Sequence, residues 1–302
     1  QLTFFRSRTG LAADTPGRFA ARQLLFAHAA VTDLAGRRHL HADRVARWAG
    51  DDLPTRRARA STADTDVRLD GWQFARTAGP AAPVGTPYTT TIDAERFAFA
   101  LRLAPTQPVL LQGDAGFSRK GPAEAQASHY LSEPQLDTAG RLRLEGSTRA
   151  VRGRAWLDHE WSDTLMHPDA VGWDWIGMNY LDGSALTAFR LRRKDGSTLW
   201  DGGSFRTGGG MLYTAVKGEN EFSPQRFWKS PLSQASYPVE WMVRTPADFY
   251  TVKAVIDNQE LDSRSSTGAI YWEGLSDMYD SDGRKVARGY LEMTGYARPL
   301  RL

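Results

Sequence analysis

The sequence predicts a mainly antiparallel β protein, and three observations carry that expectation. Alternating or β-branched runs recur along the chain, as in Phe97-Ala98-Phe99-Ala100-Leu101-Arg102-Leu103, Arg141-Leu142-Arg143-Leu144 and Leu186–Arg192. Asp182-Gly183, Asp195-Gly196 and Asp282-Gly283 punctuate such runs, and glycine accepts the positive φ that a tight hairpin turn requires. Helical periodicity is scarce; its best stretch, Phe19–Leu25, runs straight into the β-like Phe26–Thr32. Many short strands joined by glycine-rich turns build a sandwich or a barrel.

The 302 residues leave room for two ordinary domains or one large β domain. Charged residues at 24% and hydrophobic ones at 41% are ordinary for a soluble globular protein. A formal charge of +3 is a mild basic bias, and no block of Lys and Arg with interleaved aromatics argues for nucleic acid. The absence of cysteine excludes disulfides, thiolate chemistry and cysteine-based zinc sites. No apolar run reaches the roughly 18 residues of a helical membrane span.

Taken in order, the chain opens directly in a strand, Leu2-Thr3-Phe4-Phe5, with no start methionine. That opening suggests a preceding segment that is processed off or lies outside this sequence. Thr77–Thr91, rich in Gly, Ala, Pro and Thr, and Gly202–Gly210, with its Gly-Gly-Gly run, are expected to be surface loops. A faint echo links Trp72, Phe97–Leu103 and Leu110-Leu111 with Trp241, Tyr250–Ile256 and Leu261, as a duplicated β unit would.

The chemistry gathers in Trp156–Trp175, where Asp158, His159, Glu160 and Trp161 precede Trp173, Asp174 and Trp175. Charges are costly to bury unless paired, and tryptophan is mostly buried, so this mixture makes either a hydrogen-bonded knot or a chemical site. On strands, alternation puts Asp158 and Glu160 on one face, with His159 and Trp161 on the other. Asp174 likewise faces away from Trp173 and Trp175.

Other candidates are weaker. His39-Leu40-His41-Ala42-Asp43 puts two imidazoles and a carboxylate on one strand face, but no further ligand stands at recognisable spacing, so a solvated strand edge is expected. Ser118-Arg119-Lys120-Gly121 lacks the strand-to-helix context of an anion loop and reads as a structural turn. There is no Gly-x-Ser-x-Gly elbow for a serine hydrolase. Tyr271-Trp272-Glu273-Gly274 and Tyr290–Tyr296 read as barrel-lining strand core. No metal or cofactor is expected.

Trp156-Leu157-Asp158-His159-Glu160-Trp161-Ser162 followed by Gly172-Trp173-Asp174-Trp175 resembles the lipocalin-like AttH and carotenoid 1,2-hydratase (hydroxyneurosporene synthase) family. Further matches are Gln1–Arg6, Ala27–Asp33, Gly116–Gly121, Tyr271–Gly274 and Gly289–Tyr296, in the same order along nearly the whole chain. The resemblance implies two lipocalin-like (calycin) antiparallel β-barrel domains, residues 1–165 and 166–302. Family members carry a Glu-Trp-Trp-Tyr segment ahead of the strand that begins here at Gln1, so the first barrel is expected to lack its N-terminal strand.

The resemblance further implies an apolar small-molecule partner, isoprenoid- or lipid-like. Three functions follow from it: a lyase hydrating a carbon–carbon double bond, a non-catalytic carrier or accessory protein of an ABC export system, or a secreted hydrolase. It also implies a periplasmic or secreted location. For a hydratase, an apolar tryptophan-lined setting would keep a carboxyl protonated, and indole faces would stabilise the carbocation. The candidate acids are Asp158 and Asp174, with His159 orienting water as a base. Trp161, Trp173, Trp175 and Glu160 would line the substrate. The competing expectation is structural, with Asp158, His159 and Glu160 tying two barrels together through backbone groups and Arg152 or Arg154.

Overall fold

The structure is a computed structural model describing residues 1–10, 21, 23–48, 57–77, 84–164 and 166–300. No helix occurs among them, and all pairings between the named strands are antiparallel. A three-stranded sheet comes first, β1 (Leu2–Arg8), β2 (Gln23–Asp33) and β3 (Arg38–Trp48). The second sheet comprises β4 (Ala58–Ala60), β5 (Asp66–Leu69), β6 (Trp72–Arg76), β7 (Tyr88–Asp93), β8 (Phe97–Ala104), β9 (Leu110–Leu111), β10 (Phe117–Arg119), β11 (Ala127–Leu144) and β12 (Ser147–Thr164). Its strands run in the order β10-β11-β8-β7-β6-β5-β4, with β9 and β12 also pairing β11.

The third sheet opens with β13 (Ala170–Tyr180), β14 (Ala185–Arg193), β15 (Thr198–Arg206), β16 (Leu212–Ala215) and β17 (Glu221–Lys229). It continues with β18 (Ser236–Arg244), β19 (Phe249–Ala254), β20 (Glu260–Ser263), β21 (Ala269–Tyr279) and β22 (Lys285–Met293). The order is β16-β15-β14-β13-β22-β21-β19-β18-β17, with β20 on β21. Sheet membership thus changes between Thr164 and Ala170, and the curled sheets make a lipocalin-like β fold.

Each half closes over its own apolar face. In the first, Leu25, Ala27 and Ala29 of β2 pack on Leu69, Trp72, Ile92 and Phe97 of the second sheet. In the second, Ile176, Met178, Trp241, Trp272, Leu291 and Met293 form the core. Trp72 and Trp241, the two ends of the sequence echo, are both fully buried, one in each core. Truncating either to Ala would cost about 3–5 kcal/mol.

The three Asp-Gly turns behave as their chemistry requires: Gly183, Gly196 and Gly283 have φ of 90°, 84° and 78°. Three local expectations are corrected. Gln23–Leu25, the part of the helical stretch inside the described residues, is strand, because its alternate residue Leu25 fits the buried face of β2. The expected loop Thr77–Thr91 becomes strand at Tyr88, whose alternation with Thr90 and Ile92 buries one face; residues 78–83 lie outside the described residues. Gly202 and Gly203 belong to β15 rather than a loop. There a Cβ on Gly203 would lie 2.1 Å from the Thr187 carbonyl oxygen, so the close strand approach requires glycine.

Candidate active site

Alternation along β13 sorts its two faces. Gly172, Asp174, Ile176 and Met178 point into the second core, while Trp173, Trp175 and Asn179 are half-buried on the outer face. Register carries that face across the sheet, because Trp175 is opposite Glu292 of β22, and Glu292 is opposite Glu273 of β21. Tyr290 and Tyr271 lie two residues from these glutamates on the same face.

The first half supplies the facing wall. Asp158 and Glu160 of β12 are opposite Ser132 and Tyr130 of β11. The Trp156 indole meets Trp175 edge-on at 6.3 Å, and Trp175 donates its N–H to the Tyr130 hydroxyl at 3.1 Å. On the other side His28 of β2 is bonded to the Tyr271 hydroxyl at 2.7 Å, and Gln1 donates to Glu273. Asp158, Glu273 and Glu292 are surrounded by protein closely enough to be desolvated, yet they and Glu160 keep some exposure to water. That makes this junction a cleft between the halves, walled by indole and phenol rings and holding four carboxyl groups.

Each carboxyl has a distinct setting. Ser132 Oγ accepts from the Gln112 amide at 2.9 Å, so its own proton goes to Asp158 Oδ1 at 2.5 Å, where the Trp156 indole also donates at 2.9 Å. Asp158 remains open to water, yet protein surrounds it closely enough that burial pushes its pKa up to about 6 despite those donors. Glu160 pairs with Lys120 Nζ at 2.9 Å and accepts from Ser128. Lys120 is itself buried between the rings of Phe189 and Tyr130, at 4.1 and 4.8 Å.

Glu292 is pushed up to about 7 by burial, against the opposing pull of the Trp173 indole and reinforced by the Glu160 and Asp158 charges. Burial, then the charge of Glu292, drives Glu273 well above the usual carboxylate range. His28 is buried, and burial holds it down to about 4, so it is a neutral imidazole at neutral pH.

Of the residues singled out from the sequence, the structure brings Asp158, Glu160, Trp173 and Trp175 together at this cleft. It places His159 and Trp161 on the opposite face of β12. There Trp161, 51% exposed, stacks with His129 at 5.4 Å and meets His159 at 5.1 Å. Period-two alternation separates His159 from its neighbour Asp158, so it does not orient water beside that carboxyl.

Asp174 is likewise absent from the cleft. It is fully buried inside the second half, where Arg190 and Arg192 reach its Oδ2 at 2.8 and 3.1 Å and Tyr296 donates to Oδ1 at 2.9 Å. Arg154 faces Asp137 at 3.6 Å rather than the Asp158 group. His39 bonds to Thr32, and no three of the described His, Asp or Glu side chains gather as metal ligands.

Sequence reasoning placed Tyr271–Gly274 and Tyr290–Tyr296 in a barrel lining and so missed Glu273 and Glu292. Half of each motif does line the core, through Trp272, Leu291 and Met293. The available signal was the alternation itself, since Glu273 and Glu292 sit out of phase with those apolar residues. Lys120, read as part of a turn, was missed because its partner Glu160 is distant in sequence. Two shallow hollows of about 400 and 440 Å³ lie elsewhere on the surface, beside Leu24 and Arg57 and beside Pro168 and Arg193.

Fold and site together define a lipocalin-like β protein with an acidic, tryptophan-walled cleft between its halves. Residues 1–296 match the AttH-like family model, and the chain belongs to that family. A crystal structure of an AttH protein from Nitrosomonas europaea has a TM-score of 0.87 and 43% identity, covering 98% of this chain and 86% of that one. Kievitone hydratase from Nectria haematococca has a TM-score of 0.68 and 15% identity, covering 91% and 80%. The structure of CghA with Sch210972 has a TM-score of 0.53 and 10% identity, covering 92% and 81%. No curated protein sequence matches this chain.

Proposed function

We propose that this protein is a hydratase, a lyase that adds water across a carbon–carbon double bond of an apolar, isoprenoid-like molecule held in the cleft. The observation that carries this reading is a set of carboxyls pushed up by burial, Asp158 and Glu292 to about 6 and about 7, beside Trp173 and Trp175. Protonating an alkene needs a neutral acid near neutrality, and desolvation supplies one. The resulting cation needs an electron-rich wall without a competing nucleophile, which indole faces supply. The polar lip at Asp158 admits the water. The hydratase among the structural neighbours is support from a shared fold alone.

The test has two parts. cis-Parinaric acid, a polyene probe, should bind saturably and quench the cleft tryptophans, and squalene should gain the mass of one water on incubation. Asp158→Asn should abolish the mass gain while keeping probe binding, and His159→Ala should change neither. Probe binding without water addition to any isoprenoid alkene would make the protein a carrier instead. No saturable quenching would sink both readings.

A further inference from the structure

The roles of the carboxyls can be divided, a step that rests on the hydratase reading. We propose that the Glu273–Glu292 pair donates the proton to the alkene and that Asp158, as a carboxylate, receives the proton released by the attacking water. The difference lies in what surrounds each group. Glu273 and Glu292 are direct cross-strand partners on one face of β21 and β22. Their Cβ atoms are therefore about 4.5–5.5 Å apart. Two carboxylates at that spacing in a partly desolvated cleft repel, and holding a proton between them removes the repulsion.

Asp158 is arranged for the opposite state. The Ser132 proton is directed at it because Ser132 Oγ already accepts from Gln112, and the Trp156 indole can only donate. A carboxyl oxygen receiving two fixed donors is held as an acceptor, which favours the ionised form.

The groups facing the pair come from every neighbouring element. Asp158 and Glu160 approach from β12, Glu160 being neutralised by Lys120. Tyr271 and Tyr290 flank it from β21 and β22, and burial raises both phenols so that they stay neutral. Gln1, just ahead of β1, donates its side-chain amide to Glu273, which its terminal amine also pulls downward, and the Trp173 indole of β13 donates to Glu292. The ordering of proton affinities agrees with the geometry: Glu273 well up, Glu292 at about 7, Asp158 at about 6. Between about 6 and 7 the donor is protonated and the acceptor ionised.

The cycle balances. The alkene π electrons take the proton from the carboxyl pair to form a C–H bond, leaving a carbocation facing Trp173 and Trp175 and a negative charge on the pair. Water oxygen forms the C–O bond, and the proton it sheds passes to the Asp158 carboxylate. Return of that proton to the pair through water in the cleft restores the starting state, with one water added and nothing oxidised or reduced.

Infrared spectroscopy of the intact protein at pH 7 tests the protonation, and kcat against pH tests the roles. A protonated-carboxyl band should be present in the unmodified protein and in Asp158→Asn. It should be weakened in Glu273→Gln, because Glu292 is raised to about 7 on its own account, and lost only when Glu273→Gln and Glu292→Gln are combined. With squalene, Glu273→Gln and Glu292→Gln should each lower kcat by roughly 100–10,000-fold with KM little changed. The residual activity of Glu292→Gln should show a displaced alkaline limb, and Asp158→Glu a displaced acid limb. A band that survives the double variant or vanishes in Asp158→Asn overturns the assignment, whatever the turnover. An alkaline limb that moves in Asp158→Glu does the same. A band present as expected, with no alkene hydrated, removes the hydratase reading and the donor role with it.

Discussion

Arg190 Nε donates to Asp174 Oδ2 at 2.8 Å at a position with no solvent exposure, and Arg192 Nε reaches the same oxygen at 3.1 Å. The contact links adjacent strands, since Asp174 of β13 is the cross-strand partner of Arg190 of β14. Arg190 and Arg192 also lie against the rings of Trp241 and Tyr296. Asp174→Ala would leave buried guanidinium charge without its counterion, at a cost of about 3–5 kcal/mol. Urea unfolding should show that loss, with probe binding intact in the folded fraction. Asp174→Asn keeps the shape and should cost less. Unchanged stability in Asp174→Ala would mean that Arg190 and Arg192 find other partners.

Glu292 gives the cleft a measurable pH signature. Its folded pKa, about 7, lies above the ordinary glutamate value of 4.5, chiefly through burial. A group raised in this way favours the folded state most below its unfolded pKa, and that contribution is lost as pH rises through the folded value. Holding Glu292 in place should therefore cost stability above pH 7, by up to about 3 kcal/mol before the water in the cleft reduces it. Glu292→Gln should gain on the parent protein between pH 4.5 and 7.5 in parallel denaturant titrations. A stability difference flat across that range would show that the carboxyl is well solvated.

His28 works in the opposite sense. Burial lowers it from 6.5 to about 4, outweighing the Asp43 charge that pulls it upward. Its contribution is fully present above pH 6.5 and is lost as pH falls towards 4, because only the unfolded chain takes up the proton in that window. The loss should reach about 3 kcal/mol. His28→Gln should flatten the fall between pH 6.5 and 4 while lowering stability at pH 8, where its bonds to Tyr271 and Ser266 are missing. An unchanged slope would place the acid sensitivity elsewhere, with His39, also lowered to about 3 by burial, the next residue to replace.

Alternation made the strands and the opposed faces of Asp158 and His159 legible in the sequence, and the Asp-Gly pairs made three hairpin turns legible. What alternation cannot reveal is which face of a strand meets which neighbour. Arg190 and Arg192 alternate with Phe189 and Leu191, and hydropathy alone would turn the arginines outward. They point inward because Asp174 lies beside Arg190 across the strand pair, whereas Phe189 covers Lys120 at the junction of the halves. Glu273 and Glu292 were hidden for a related reason. Their strands are separated by a turn, and only register reveals that two ordinary surface-phase glutamates become direct partners under Trp175.

Gln112 connects that register to the chemistry. Its amide nitrogen donates to Ser132 of β11 and Thr187 of β14, each at 2.9 Å, and its oxygen accepts from Ser204 of β15 at 2.6 Å. All four side chains are buried, so the network joins the two halves without help from bulk water. It also directs the Ser132 proton onto Asp158. Gln112→Ala would leave up to three hydroxyls short of a partner, at roughly 1–3 kcal/mol for each one that water cannot reach. The coupling can be isolated from general damage by a cycle with Ser204→Ala, which removes one partner from the far half. The double variant should be less destabilised than the sum of the singles by about 1 kcal/mol. Strict additivity would mean that Ser204 and Gln112 are bonded no more strongly than each is to water, leaving the junction to its other contacts, such as the Trp175 indole on Tyr130. If the coupling is present, Gln112→Ala should also loosen Asp158, seen as a lower kcat for alkene hydration with probe affinity unchanged, because the serine is then free to turn its proton away.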